Sequence, residues 1–309
     1  MSKAVTLYAY TIENSDASRA YSDFTEKFRA KLETSKTIRQ RILEINNQTH
    51  ETDVLSQVVL QNNGYIYGSL MRIILSKEMP SLPSDYLDKN ELSFSELDGV
   101  GDDNDKMSCK DLYYFALDNR HLITTMPTSR IARFRTFVNH FLEVELTAKS
   151  YSFSIMITQP ENIKLQELTK IEFAGGGRFL QNNDEIANIN TSVLEVAVDV
   201  LKRLIIDEDI KPLLDKNILT ANLVVKFNDR YRKKINDDDV KKAMSAVVTN
   251  LADYGNVKFS TKDNRNIKAG ETVLCKHINV DTTENNLLNE EDLRQQMLYF
   301  LSEIKEQVQ

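Results

Sequence analysis

The chain has 309 residues, of which 41% are apolar and 28% are charged, and its net charge is −7. These proportions exclude a disordered or collagen-like chain, and no run of about 18 apolar residues indicates a membrane span. Two cysteines, Cys109 and Cys275, lie far apart in sequence, which excludes a disulfide framework and favours a reducing cytoplasm.

The first elements are predicted from their periodicity. Residues 4–12 alternate and predict a strand rather than a signal peptide. Residues 17–47 predict a helix with Tyr21, Phe24, Phe28 and Leu32 on one face. Residues 54–75 predict a hairpin with a tight type I′ turn at Asn63 and Gly64.

An acidic segment at 77–110 has loop composition; residues 78–111 hold ten acids and three lysines. A second hairpin is predicted over 112–125, turning at Asp118 and Asn119. A helix capped by Ser129 follows, and "SRIARFRTFVNH" gives it three arginines. On a helical wheel Arg133 lies opposite the apolar face, so we expect it to point into solvent and to be available to a polyanion.

The second half alternates strands and helices. Strands are predicted at 151–158, 221–227, 256–262 and 272–280, and helices at 191–206, at 236–255 and from Asn289. We therefore predict an α+β fold with two units of mostly antiparallel sheet and packed helices. The predicted domains are 1–188, with the acidic loop 77–110, and 189–309, with a basic loop at 226–234.

The motifs of the common enzyme classes are missing from the sequence: it has no phosphate loop, no H-E-x-x-H, no G-x-S-x-G and no C-x-x-C. The glycines of "AGGGR" predict a turn or bulge. Cys275 and His277 share a strand face, but two ligands are too few for a metal. We predict no catalytic residue, no metal and no cofactor.

The densest positive charge is "KFNDRYRKK" at 226–234, where cations surround Phe227 and Tyr231. Arginine and lysine bind phosphate and aromatic rings can stack on bases, so this loop predicts a nucleic-acid contact. The alternative is a solvated connector that balances the acids at 237–239. The predicted binding residues are Lys226, Arg230, Arg232, Lys233 and Lys234 of the loop, Lys258, Lys262, Arg265 and Lys268 beyond it, and Arg133.

The order of these elements resembles that of the RexA-type phage-exclusion proteins of lambdoid prophages. The shared layout is a hairpin ("VVLQNNGYIYGSLMRI"), an acidic linker, a second hairpin running into a helix, the segment "LVVKFNDRYRKKINDDDVKKA" and a terminal helix ("NEEDLRQQMLYFLSEI"). The chain is also similar to the DNA-binding component of the Kiwa antiphage system.

The resemblance implies an antiviral defence protein that acts in abortive infection. It implies a cytoplasmic homodimer that binds DNA with little sequence preference, whereas the residues themselves leave DNA and RNA open. It also implies a partner membrane protein encoded nearby, with no direct membrane insertion of this chain. Two other functions remain open: a nuclease-type toxin effector, and a scaffold that binds only protein through its acidic loop.

Overall fold

A computed structural model describes residues 1–14, 23–46, 51–61, 64–74, 84–93, 108–144, 151–158, 168–175, 221–226, 241, 244–245, 256–263, 266–283 and 287–308. The chain folds into two compact units. Unit 1 comprises Met1–Phe153 and Cys275–Gln309, and unit 2 comprises Ser154–Leu274. The sequence-based boundary at 188/189 differs from this division, because the last strand joins the sheet of unit 1 and the last helix packs against that sheet.

The described strands are β1 (Ser2–Asn14), β2 (Ile42–Asn46), β3 (Glu51–Leu60), β4 (Ile66–Ile74), β5 (Ser108–Leu117), β6 (His121–Thr124), β7 (Tyr151–Ile155), β8 (Leu168–Gly175), β9 (Ala221–Lys226), β10 (Asn256–Thr261), β11 (Asn266–Lys268) and β12 (Cys275–Asp281). The described helices are α1 (Phe24–Thr34), α2 (Ser84–Leu87), α3 (Ile131–Phe141) and α4 (Glu290–Val308). Short 3-10 turns lie at Ile38–Arg41, Thr128–Arg130 and Ala269–Thr272. The α+β class is confirmed.

Unit 1 is built on an eight-stranded sheet. Its strand order is β12-β1-β6-β5-β4-β3-β2, and β7 also pairs with β1. The neighbours along this order are antiparallel. Strand β1 is therefore internal, held between β6 from the first half of the chain and β12 from its end.

Aromatic side chains fill the space between this sheet and the helices α1 and α3. The ring of Phe115 on β5 lies 6.5 Å from that of Phe28 on α1 and 5.1 Å from that of Phe134 on α3. All three side chains are buried. The predicted inner face of the last helix is also confirmed, since α4 buries Leu293, Met297, Phe300 and Ile304.

The predicted helix at 17–47 is wrong in its second half. Helix α1 ends at Thr34, and the chain continues through a 3-10 turn into β2. In β2, Ile42 pairs with Val54 and Leu43 with Asp53, so the backbone hydrogen bonds are satisfied by β3 instead of by a helix. The β-branched isoleucines at 42 and 45 suit this extended conformation better than a helix.

Both predicted hairpins of unit 1 are confirmed, with one change of turn. Strands β3 and β4 are closed by a hydrogen bond from the Gln61 amide to the Tyr65 carbonyl, 2.9 Å long. This closure encloses three residues, one more than a type I′ turn has. Gly64 takes a φ of +94°, a value that glycine adopts at little cost. The second turn lies at Asp118, as predicted, between β5 and β6.

Part of the predicted acidic loop is packed. Within the described residues 84–93, Tyr86, Leu87 and Leu92 are buried. They join a core cluster with Ile38, Val54, Met71 and Ile73. The segment 84–93 therefore carries a hydrophobic anchor among its acids; residues 77–83 and 94–107 lie outside the described residues.

In the second half, β9, β10 and β12 confirm the predicted strands, whereas β8 and β11 were missed. The predicted helix at 191–206 lies outside the described residues. Of the predicted helix at 236–255, residues 241 and 244–245 are described and are helical.

The end of α4 is tied to the turn between β5 and β6. Lys305 Nζ lies 3.1 Å from Asp118 Oδ2, and Asp118 Oδ1 accepts hydrogen bonds from the backbone amides of Arg120 and His121 at 2.7 and 2.8 Å. Burial alone would raise the pKa of Asp118. The hydrogen bonds from His121 and Arg120 outweigh burial and lower that pKa to about 2.

This depressed pKa predicts an acid-dependent loss of stability. The folded state favours the deprotonated form of Asp118 more than the unfolded chain does. The resulting stabilisation is therefore complete above the ordinary pKa of 3.8 and is lost as the pH falls towards 2. In the wild-type protein, this effect should lower the free energy of unfolding by about 2 kcal/mol between pH 5 and pH 2, and we expect Asp118→Asn to abolish that pH dependence. Urea unfolding of both proteins across this range measures it, and equal pH dependence would contradict it.

Candidate nucleic-acid interface

The predicted binding residues that the structure describes lie mainly in the sheet of unit 2. This sheet has four strands in the order β11-β10-β8-β9. All three neighbouring pairs are antiparallel. Strands β10 and β11 form a hairpin at one edge of the sheet.

The strand register gathers lysines on one face of this sheet. Lys258 on β10 pairs directly with Lys268 on β11 and, on its other side, with Glu172 on β8. Two positions further along β10, Ser260 pairs with Lys170, which in turn pairs with Lys226 on β9. Because directly paired residues and residues two apart share a face, four strands place lysine positions on the same side.

The residues between these lysines face the core. Phe259 and Ile267 pair with each other across the hairpin, and both are buried. In contrast, Lys262 and Lys268 are exposed, and Lys258 and Lys170 are partly exposed. In the hairpin β10–β11, Phe259 and Ile267 therefore mark an apolar inner face, and Lys258 and Lys268 lie on the opposite face, where Ser260 is buried. Lys262 lies in the turn after β10.

The charges of this face are only partly neutralised. Lys170 forms an ion pair with Glu172. In the described part of the chain, no carboxylate forms an ion pair with Lys258, Lys262 or Lys268. Like charges directly opposite each other on two strands are destabilising. The pair Lys258 and Lys268 is such an arrangement, and an anion bound over it would relieve the repulsion.

The two units differ in charge. The sequence of unit 2 contains eighteen Lys and Arg and eighteen Asp and Glu, so the whole net charge of −7 belongs to unit 1. Exposed charges further apart than about 8 Å are largely screened at physiological salt. The acidic total of the chain is therefore compatible with a local positive field at the lysines of unit 2.

The remaining predicted residues of unit 2 have no described side chain. Lys226 is placed by its backbone at the end of β9. Arg230, Arg232, Lys233, Lys234 and Arg265 lie outside the described residues. Sequence reasoning missed Lys170 and Glu172, although the alternation in "LTKIEFAG" was a signal for a strand with these two residues on one side.

Arg133 does not belong to this interface. The prediction that it points into solvent is wrong: its side chain is 7% exposed and is paired with acids from two strands of unit 1. Arg133 Nη2 lies 2.7 Å from Asp53 Oδ1 on β3, and its Nη1 donates to Asp111 Oδ2 on β5 at 2.9 Å. The guanidinium carbon of Arg133 lies 5.5 Å from the centre of the Tyr113 ring. Its neighbour on the helical wheel, His140, is exposed.

The acid that receives Arg133 is shared. Asp53 is fully buried and also accepts hydrogen bonds from Arg72 Nε and Nη2, at 2.8 and 2.9 Å. Arg72 pairs directly with both Asp53 and Asp111 across β3, β4 and β5. We call Asp53, Arg72, Asp111 and Arg133 the ionic cluster of unit 1. It fixes α3 to the sheet.

Cys275 and His277 both lie on β12. His277 Nδ1 lies 3.0 Å from Thr6 Oγ1, so the histidine next to Cys275 has a hydroxyl partner. Among the described residues, no group of three His, Cys, Asp or Glu side chains is placed to hold a metal ion. Within the same residues, no helix is long and apolar enough to cross a membrane.

Comparisons of the chain with family models, with curated proteins and with solved structures found no match.

Proposed function

We propose that this protein binds nucleic acid, preferentially duplex DNA, through the lysine-bearing face of unit 2. The observation that carries the proposal is the direct pairing of Lys258 with Lys268 beside the exposed Lys262. Adjacent strands lie about 4.8 Å apart, so these positive charges are held close together by a rigid backbone. Such a row favours a ligand with dense negative charge, and duplex DNA carries one phosphate charge per about 1.7 Å of its axis.

The contacts would go to phosphates rather than to base edges. Lysine acts as a point charge and carries little sequence information when it contacts the backbone. The proposal is therefore binding with little sequence preference, as the resemblance to RexA-type proteins implies. In this proposal the loop residues Arg230, Arg232, Lys233 and Lys234 extend the same contact.

We expect the triple substitution Lys258→Ala, Lys262→Ala and Lys268→Ala to weaken binding to all duplex sequences alike. Each lost phosphate contact should reduce the slope of log Kd against log salt by about 0.9, and three by about 2.7. Folding should hardly change, since exposed substitutions usually shift stability by less than about 0.5 kcal/mol. Fluorescence anisotropy with labelled duplexes at several salt concentrations measures both effects.

The matched control removes three lysines from unit 1, at Lys3, Lys36 and Lys89. It lowers the net charge by the same amount but leaves the lysine-bearing face intact, so it should keep the wild-type salt slope. Equal slopes for wild type and the unit 2 variant would contradict the proposed site. Duplex RNA and single-stranded DNA, titrated in parallel, test the preference for duplex DNA.

We further propose that this binding serves antiphage defence by abortive infection, a role that comes from the resemblance in layout. The same two triple variants provide the test in cells that carry the protein with its neighbouring genes. Protection against phage infection should be lost with the unit 2 variant and retained with the unit 1 control.

A further inference from the structure

Unit 1 contains a cavity of about 350 Å³ that the proposed function does not use. Its floor is formed by β3, β4 and β5, and its rim by residues 91–93 and by Glu290 at the start of α4. The volume lies within the range of about 300–1,000 Å³ that small-molecule sites occupy.

Both charged side chains in the described lining of the cavity are acids. Glu290 and Glu91 reach it from different elements, and its described lining contains neither Lys nor Arg. Tyr114 donates a hydrogen bond of 3.1 Å to Glu290 Oε1 and so fixes this carboxylate. Burial raises the pKa of Tyr114, and the charge of Glu290 adds to the effect, so the phenol remains a donor.

The floor of the cavity offers hydroxyl oxygens. Ser56 and Ser69 are buried, with their Oγ atoms 2.8 Å apart, and Ser56 Oγ also lies 3.3 Å from the Ser69 carbonyl oxygen. If Ser69 donates to Ser56 and Ser56 donates to that carbonyl, both hydroxyl protons are used internally. The lone pairs of Ser69 Oγ then remain as an acceptor.

Ser56 occupies a special backbone position. The register of β3 against β4 shifts between Leu55 and Gln57, so Ser56 is the extra residue of a β-bulge. Bulges re-aim side chains and are frequent beside functional sites. The dipole of α4 accounts for an acid at Glu290, and the charge of Glu91 favours the charged form of the buried Arg41, but neither effect accounts for the bulged serine.

The remaining lining is apolar. Met71 and Leu112 pair directly on β4 and β5, and Leu92 lies on the rim. The cavity therefore combines two carboxylates, a hydroxyl acceptor and an aliphatic wall. This chemistry is complementary to a positive charge that carries a short hydrocarbon chain.

We propose that this cavity binds a small organic cation, with a primary ammonium or guanidinium group on a short aliphatic chain. The cationic group hydrogen-bonds to Glu290 and Glu91, and the chain lies against Met71 and Leu112. The proposed site belongs to unit 1, and its test needs no nucleic acid.

Isothermal titration of the full chain with putrescine tests the proposal, with 1,4-butanediol as an uncharged probe of the same length. We expect putrescine to bind and the diol not to bind. Failure of wild-type protein to bind putrescine, or equal binding of the diol, would overturn the proposal while leaving the nucleic-acid prediction untouched.

Two isosteric variants separate a site from a general attraction to an acidic surface. Glu290→Gln should weaken putrescine binding about tenfold or more, since hydrogen bonds to charged groups are the stronger ones. Glu291→Gln, at the next position of α4 and paired with Arg294, should bind as wild type does. Equal losses in both variants would overturn the proposal.

A third variant, which blocks the cavity sterically, keeps the test valid if Glu290→Gln fails to fold. Ser93 is exposed on the rim, so Ser93→Trp should obstruct the cavity without disturbing the core. We expect it to reduce putrescine binding at an unchanged urea midpoint. Full binding by this variant would place the cation elsewhere and overturn the assignment.

Discussion

Replacing Asp53 with Asn should lower the free energy of unfolding by about 3–5 kcal/mol, the cost of breaking a buried ion pair by removing one partner. Asp53 is fully buried and accepts from both Arg72 and Arg133. Asparagine keeps the shape of the side chain but removes the charge and turns an amide group towards the guanidinium groups. Two cations whose side chains are only 13% and 7% exposed, Arg72 and Arg133, then share fewer acids.

Urea unfolding of wild type and Asp53→Asn at neutral pH measures this loss. The matched control is Arg39→Ala, which breaks the ion pair between Arg39 and Asp88, whose side chains are 52% and 67% exposed. Exposed pairs contribute about 0–1 kcal/mol, so the control should remain close to wild type. Similar losses of unfolding free energy in the two variants would show that the ionic cluster contributes no more to stability than an exposed ion pair does.

Replacing Gly68 with Ala should cost about 2–3 kcal/mol, because there is no space for a methyl group. A Cβ atom at this position would lie 2.6 Å from Phe115 Cζ and 2.7 Å from the Gln57 carbonyl oxygen. Phe115 is itself packed between Phe28 and Phe134, and the Gln57 oxygen belongs to a paired strand, so neither can yield cheaply. Overpacking of this kind typically costs about 1–3 kcal/mol.

Gly64 provides the control, since it is a glycine for a different reason. Its φ is +94°, and a Cβ would meet nothing within 4 Å. Asparagine tolerates positive φ better than alanine, so Gly64→Asn should destabilise less than Gly64→Ala. At position 68, where space is lacking, the larger Asn should destabilise more than Ala. Chemical unfolding of the four single variants tests this reversal. The same order at both positions would refute the packing argument for Gly68.

The parts of the fold that were predictable have local signals. The two hairpins carry turn residues between β-rich runs, and α4 carries a continuous apolar stripe, so each element can be identified without knowledge of its partner. Strand β2 was misassigned because its short alternating run follows a true helix and lacks a proline or glycine to separate them. Its identity depends on β3, which supplies the hydrogen bonds.

Arg133 shows why the candidate site was harder to predict. A helical wheel predicts that charged residues opposite an apolar stripe face solvent, but this arginine forms ion pairs with acids on β3 and β5. The available signal was charge inside apolar strands: Asp53 in "ETDVLS" and Arg72 in "LMRII". Conversely, Lys258 and Lys268 lie opposite the buried Phe259 and Ile267, as alternation along a strand predicts, and Lys262 lies in the turn that follows β10.

The insertion of unit 2 into unit 1 has a consequence for the order of events during synthesis. Strand β1 ends at Asn14 and its partner β12 begins at Cys275, so residues 15–274, which include the 121 residues of unit 2, are made between them. At about 5–20 residues per second this delay lasts roughly 13–52 s. During that time one edge of β1 has no β12 to cover it, and unpaired strand edges promote association. The nascent chain therefore passes through a stage in which a chaperone, or a second nascent chain, can reach the strand that the finished protein keeps inside its sheet.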